Sequence, residues 1–215
     1  MSSLQALLVA GTHGNEINAP WLFEHWRRKP SLINEFGLKT LKVLGNPSAY
    51  RVGKRYIDRD LNRSFSEELF NDPLCTDHEV KRAMELFKLF GVNGENPCQL
   101  VIDLHSTTSA MGTSLVVYGR RPTDLALAAL IQFRLGIPIY LHENDLKQKG
   151  FLVESWPTGL VIEIRPVAQN LLDIKVIQKT SLTLEVLLEE VSKVKKGIET
   201  YPERIVVHRH LGSID

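Results

Sequence analysis

Short apolar runs of strand length limit how this chain can fold. They are Leu4–Ala10, Leu38–Leu44, Leu100–Leu104, Ser114–Tyr118, Ile137–Leu141 and Leu160–Ile164, and all but Leu38–Leu44 carry at most one polar residue. A strand apolar along its whole length has to be covered on both faces. Segments of helical spacing lie between the runs. Trp21, Leu22 and Trp26 share one such segment, Val80, Ala83, Met84, Phe87 and Phe90 another, and Leu184, Leu187, Leu188, Val191 and Val194 lie in a third that runs from Asp173 to Lys195. Strands alternating with helices predict an α/β fold of three layers, αβα, around a mixed, mostly parallel central sheet. In such sheets ligands bind at the carboxyl ends of the strands.

The punctuation agrees with this pattern. Asn15 is a candidate cap for the first helix, whose Pro20 is tolerable only in the first turn. Thr76-Asp77-His78-Glu79 reads as a capping box, and Gly91 and Gly136 as helix stops. Ser48–Phe70 is long and polar with no predicted regular structure. Its interleaved Tyr50, Tyr56, Ile57, Leu61 and Phe65 point to ordered packing with polar tips. Residues 1–197 form one expected domain. Residues 198–215 read as the start of a C-terminal β-unit, because Ile205-Val206-Val207 has no partner strand after it. Such a strand must join the edge of its own sheet or pair with the same strand of a second copy, which would make a homo-oligomer.

Composition excludes several function classes. The 215 residues carry a formal net charge of +1, so bulk electrostatics favour neither nucleic acid nor an anionic membrane. Cys75 and Cys98 form no CxxC pair and read as reduced structural thiols. No apolar run approaches the ~20 residues of a membrane span. The Leu4–Ala10 run lacks the basic flank of a secretory signal. A cytoplasmic protein is the default that follows.

The chemistry gathers at strand ends. His13 and Glu16 lie three residues apart in Gly11-Thr12-His13-Gly14-Asn15-Glu16, at a strand-to-helix turn. Imidazole and carboxylate suit Zn²⁺, and three protein ligands leave a fourth position for water. His105, at the end of the Leu100–Leu104 run, is the candidate third ligand. The remaining histidines lack such company, with His142-Glu143 the one weak rival pair. Glu163 is the single charge in an apolar strand and needs a partner or a task. It is either ion-paired with Arg165 or a general base and acid beside the metal. Arg55, Asn62 and Arg63 offer donors for a carboxylate or a developing oxyanion, with Arg51, Lys54 and Arg59 as neighbours of equal chemistry.

Together, GTHGNE, NPSAYRVGKRYIDRDLNRSF, DLHST and VIEIRP resemble the aspartoacylase / succinylglutamate desuccinylase family, a branch of the zinc carboxypeptidase superfamily, from about Leu7 to Val176. The resemblance implies one Zn²⁺ held by His13, Glu16 and His105. It implies that Arg55 polarises the scissile carbonyl, that Asn62 and Arg63 hold a substrate carboxylate, and that Glu163 is the acid/base. The implied activity is deacylation of an N-acyl amino acid, with N-acetylaspartate first. N-succinylglutamate, an N-acetylated aromatic residue, or zinc binding without turnover are the alternatives. Relatives that cleave N-acetylaspartate carry a tyrosine and an arginine shortly before the catalytic glutamate, whereas Gly150–Trp156 contains no arginine. Family members also have a C-terminal β-rich domain that supplies a further tyrosine.

Overall fold

A computed structural model of the chain describes residues 4–110, 112–143, 149–164, 166–198 and 201–209. The strands are β1 (Gln5–Ala10), β2 (Lys39–Leu44), β3 (Leu100–Ser106), β4 (Ser114–Tyr118), β5 (Ile139–His142), β6 (Thr158–Ile164) and β7 (Val207–Arg209). They form a single sheet in the order β2-β1-β3-β6-β4-β5-β7. Every neighbouring pair is parallel except β4 and β6, which run antiparallel. The carboxyl ends of β1, β3 and β6 therefore meet the amino end of β4 along one edge of the sheet. The strand expected after Tyr201 is β7, which joins the sheet beside β5.

The helices are α1 (Asn18–Arg28), α2 (Pro47–Val52), α3 (Glu67–Phe70), α4 (His78–Phe90), α5 (Pro122–Leu135) and α6 (Ile174–Lys195). They cover both faces, which is why the central strands are mostly apolar. On β1, Ala6, Leu8 and Ala10 join the cluster that includes Leu22, Trp26, Ile131, Leu184 and Leu187, under α1, α5 and α6. Leu7 and Val9 join the opposite cluster with Ala83, Leu86, Leu152 and Trp156, under α4 and the turn Leu152–Ser155. A period of two thus assigns these β1 side chains to one layer or the other.

Four local expectations are corrected. Ile17, not Asn15, is the N-cap of α1 and has no side-chain capping bond; the Asn15 Oδ1 is buried and without a hydrogen bond among the described residues. The capping box before α4 is not formed. Asp77 occupies the cap with no side-chain capping bond, and Glu79 turns into the protein. The buried stripe of α4 is Val80, Ala83 and Leu86, while Met84 and Phe87 are exposed, so the core face is rotated from the one that spacing suggests. Finally, Ser48–Phe70 is not without regular structure. It contains most of α2, a 3₁₀ turn at Leu61–Arg63, and α3. Each is too short for a hydrophobic period to show. No helix among the described residues is long and apolar enough to cross a membrane.

Candidate metal centre and substrate site

Strand alternation carries the chemical side chains to one face. On β3, Leu100, Ile102 and Leu104 pack under α1, α5 and α6, so Val101, Asp103 and His105 point the other way. On β6, Leu160, Ile162 and Ile164 take the first face and Val161 the second, which leaves Glu163 on the second. His105 and Glu163 are register partners across β3 and β6, and Ser114 on β4 is the register partner of Glu163 on the other side.

The turn after β1 delivers the other two groups. Gly11 has a φ of 67°, a left-handed conformation that favours glycine. Gly14 lies so close to α2 that a Cβ there would stand 2.2 Å from the Ala49 carbonyl carbon and the Tyr50 nitrogen. Gly14→Ala should therefore lower stability by roughly 1–3 kcal/mol through overpacking. Chemical denaturation measures this, and an unchanged midpoint would contradict the close approach.

His13, Glu16 and His105 converge, with one ligand atom from each lying within 4.8 Å of the others. Glu16 bridges the two imidazoles: Oε1 is 2.7 Å from His13 Nδ1, and Oε2 is 3.2 Å from His105 Nδ1. The far ring nitrogens are also held. His13 Nε2 is 2.9 Å from Asp60 Oδ1, and His105 Nε2 is 2.7 Å from Asp103 Oδ2. Asp103 accepts in turn from the Thr12 hydroxyl at 2.6 Å, and Glu16 Oε2 from the Ser106 N–H at 2.8 Å.

The electrostatics follow from this packing. Burial pushes the Glu16 carboxyl up, but the His105 and His13 rings outweigh it and hold it well below the usual carboxylate range. Burial pulls His105 down, yet Asp103 and Glu16 raise it well above its ordinary value. Burial likewise lowers His13, and Asp60 and Glu16 more than restore it. The cluster is a set of donor atoms whose protons a divalent cation would replace. Both Nδ1 atoms face the Glu16 carboxylate while both Nε2 atoms are fixed by carboxylates, the outer arrangement that orients metal-ligating histidines. The donor set fits a cation of the zinc type, with two imidazoles and one carboxylate.

The segment between α2 and the 3₁₀ turn supplies the flanking groups. Arg55 donates through Nη2 to Asp60 Oδ2 at 2.9 Å, so Asp60 links the guanidinium to His13. Burial raises the Asp60 carboxyl, but His13 and Arg55 bring it well below its usual range. Asn62 is buried, and its Oδ1 accepts from the Leu152 N–H at 2.9 Å. The Arg63 guanidinium lies 3.9 Å above the Phe151 ring, and Phe151 stacks on Tyr118 with centroids 3.7 Å apart. Burial pushes the Tyr118 hydroxyl far above its ordinary range, which keeps it neutral. Arg59 pairs with Asp77 at 3.2 Å, while Arg51 and Lys54 are exposed.

Glu163 stands beside this cluster. Its Oε2 is shut off from solvent and has no hydrogen-bond partner among the described residues. Burial raises its carboxyl above the ordinary value, against the pull of the His105 ring. Arg165, the ion-pair partner considered from sequence, lies outside the described residues. Among those described, His142 and Glu143 build no second metal cluster. Glu143 instead holds Arg120 at 2.6 Å and Arg209 at 2.7 Å.

Sequence reasoning passes over several members of this site. Asp60 pairs with a nearby cation, Arg55, as the sequence suggests, but its bond to His13 is not legible there. Asp103 and Thr12 receive no role from sequence, although Asp103 carries the same signal as Glu163, one carboxylate in a buried strand. Phe151 and Tyr118 receive no role from sequence either, because no local pattern ties them to Arg63.

A profile of the succinylglutamate desuccinylase/aspartoacylase catalytic domain matches residues 2–191. The chain belongs to this family. Relatives called probable aspartoacylase share its sequence throughout. The one from Prochlorococcus marinus strain MIT 9313 is 60% identical over 215 residues, covering 100% of this chain and 71% of that protein. The one from Synechococcus sp. strain CC9605 is 57% identical, covering 100% and 70%. Among solved structures, murine aminoacylase 3 superposes with a TM-score of 0.83 at 26% identity, covering 99% of this chain and 72% of that one. A succinylglutamate desuccinylase from Chromobacterium violaceum shares the fold, with a TM-score of 0.67 at 22% identity over 87% of this chain and 61% of its own. The family membership accounts for the three-layer zinc carboxypeptidase-like fold and makes the chain a hydrolase of the aspartoacylase type.

Proposed function

We propose that the protein is a zinc-dependent amidohydrolase that deacylates an N-acyl amino acid, with N-acetylaspartate as the first candidate. One observation carries the reading: a His13–Glu16–His105 donor set stands beside a carboxylate, Glu163, whose inner oxygen is buried and unbonded among the described residues. Zinc held by that triad would supply Lewis-acid polarisation and an activated water. Glu163 accepts a proton from the attacking water, whose oxygen bonds to the acyl carbon. Arg55, steadied by Asp60, donates to the carbonyl oxygen as charge develops there. The C–N bond then breaks, and Glu163 returns the proton to the departing amine, giving acetate and aspartate. Asn62 and Arg63 hold the substrate carboxylate, with Phe151 supporting the guanidinium from below.

A second substrate reading has its own observation. The interval Gly150–Trp156 offers no cation, and Phe151 from it lies under Arg63. An N-acetylated aromatic amino acid then competes with N-acetylaspartate. A panel of N-acyl amino acids presented to zinc-loaded protein separates these cases, and zinc binding without turnover of any member would sink the enzyme reading. For an accepted acidic substrate, Arg63→Ala should raise KM about tenfold or more with a smaller change in kcat, because a carboxylate clamp acts in ground and transition states alike. An unchanged KM would remove Arg63 from the substrate site.

A further inference from the structure

Glu79 is fully buried on α4, and its hydrogen bonds go to a distant loop rather than to its own helix. Oε1 accepts from the Ile57 N–H at 2.7 Å and from the Asn46 side-chain amide at 2.9 Å. Oε2 accepts from the Asp58 N–H at 3.0 Å and the Arg59 N–H at 3.2 Å. One carboxylate therefore satisfies three consecutive backbone donors. The loop answers in kind: Asp58 Oδ2 accepts from the His78 N–H at 2.7 Å, at the start of α4 where the sequence suggests a capping box. The clasped residues sit between Arg55 and Asp60, the two groups that the same segment sends to the metal cluster. On its other side the Arg55 carbonyl accepts from the Gly14 N–H at 3.1 Å, next to His13. An irregular segment has no ladder to hold it, so its backbone donors need another partner. Glu79 is that partner, and an ionised carboxylate is the strong acceptor the task needs.

We propose that Glu79 is a positioning residue for the deacylation, holding residues 57–59 so that Arg55 stands where it donates to the substrate carbonyl. This rests on the reading that Arg55 acts on the substrate carbonyl. Glu79→Gln tests it, since the amide replaces one accepting atom with a donor facing N–H groups. The 57–59 amides should then exchange hydrogen at least about tenfold faster, with zinc content and the exchange of β1 and β3 unchanged. On an accepted substrate, kcat/KM should fall by about 10–100-fold, mostly through kcat. In an Arg55→Ala background the same change should cost less than about twofold, because the group it positions is gone. Equal cost in both backgrounds, or unaltered exchange at 57–59, overturns the proposal. If Glu79→Gln fails to fold, Asp58→Ala opens the clasp from its exposed side, with the same readouts and a smaller effect. Wild-type protein that turns over no N-acyl amino acid would sink the functional reading and the catalytic half of this proposal. The exchange measurement would still decide whether Glu79 holds the loop.

Discussion

Glu163→Gln should leave zinc bound and reduce turnover by roughly 10²–10⁴-fold, the range for losing a general acid/base. The glutamine keeps the shape and cannot accept the proton. The same change should make the metal-free protein more stable at neutral pH. Burial raises the Glu163 carboxyl, so ionising it costs more in the folded chain than in the unfolded one. That cost is absent below the ordinary carboxylate pKa, where both states are protonated, and grows as pH rises toward the folded value. The stability difference between variant and wild type should accordingly shrink as pH is lowered through the ordinary carboxylate range. Turnover equal to wild type would make Glu163 structural. A variant less stable than wild type at neutral pH would mean that its carboxylate is paired after all.

The second large effect is expected at His105. His105→Ala removes one of three donors and should lower zinc from about one per chain to nearly none, taking turnover to background. It also strips Asp103 of its imidazole. Asp103 is fully buried and retains only the Thr12 hydroxyl among the bonds described above. A buried carboxylate that loses its partner costs about 3–5 kcal/mol, so the metal-free variant should unfold at clearly lower denaturant than metal-free wild type. Elemental analysis and denaturation read the two effects separately. Full zinc retention would remove His105 from the donor set, whatever happens to stability.

Both predictions concern residues that stand out in the sequence, for a shared physical reason. A strand buried on both faces is apolar at nearly every position, so one charge within it is conspicuous. Glu163 in Leu-Val-Ile-Glu-Ile and His105 after Leu-Val-Ile-Asp-Leu are legible on that ground. His13 and Glu16 are legible because a glycine-bounded turn after such a strand places its residues at the carboxyl edge. Asn15 and the Thr76–Glu79 box mislead. Capping signatures describe which bonds a local sequence can make, and at both places a tertiary partner or none takes their role. The α4 stripe is misjudged by part of a turn, since Met84 and Phe87 fit the helical period but remain partly open to solvent.

The sequence by itself determined the layers and the strand ends, and it singled out His13, Glu16 and His105 as candidate donors. Those depend on periods of two and 3.6 and on the short reach of a turn, all of which are local. Only the tertiary structure decided that Asp60 and Asp103 fix the imidazoles from behind, that Phe151 and Tyr118 support Arg63, and that Glu79 holds the segment carrying Arg55. Most of these contacts join distant residues, 47 positions apart for His13 and Asp60 and 22 for Ile57 and Glu79. They are set by which backbone donors and buried charges still need a partner once the layers have packed. That need belongs to the folded molecule, and no short stretch of the chain carries it.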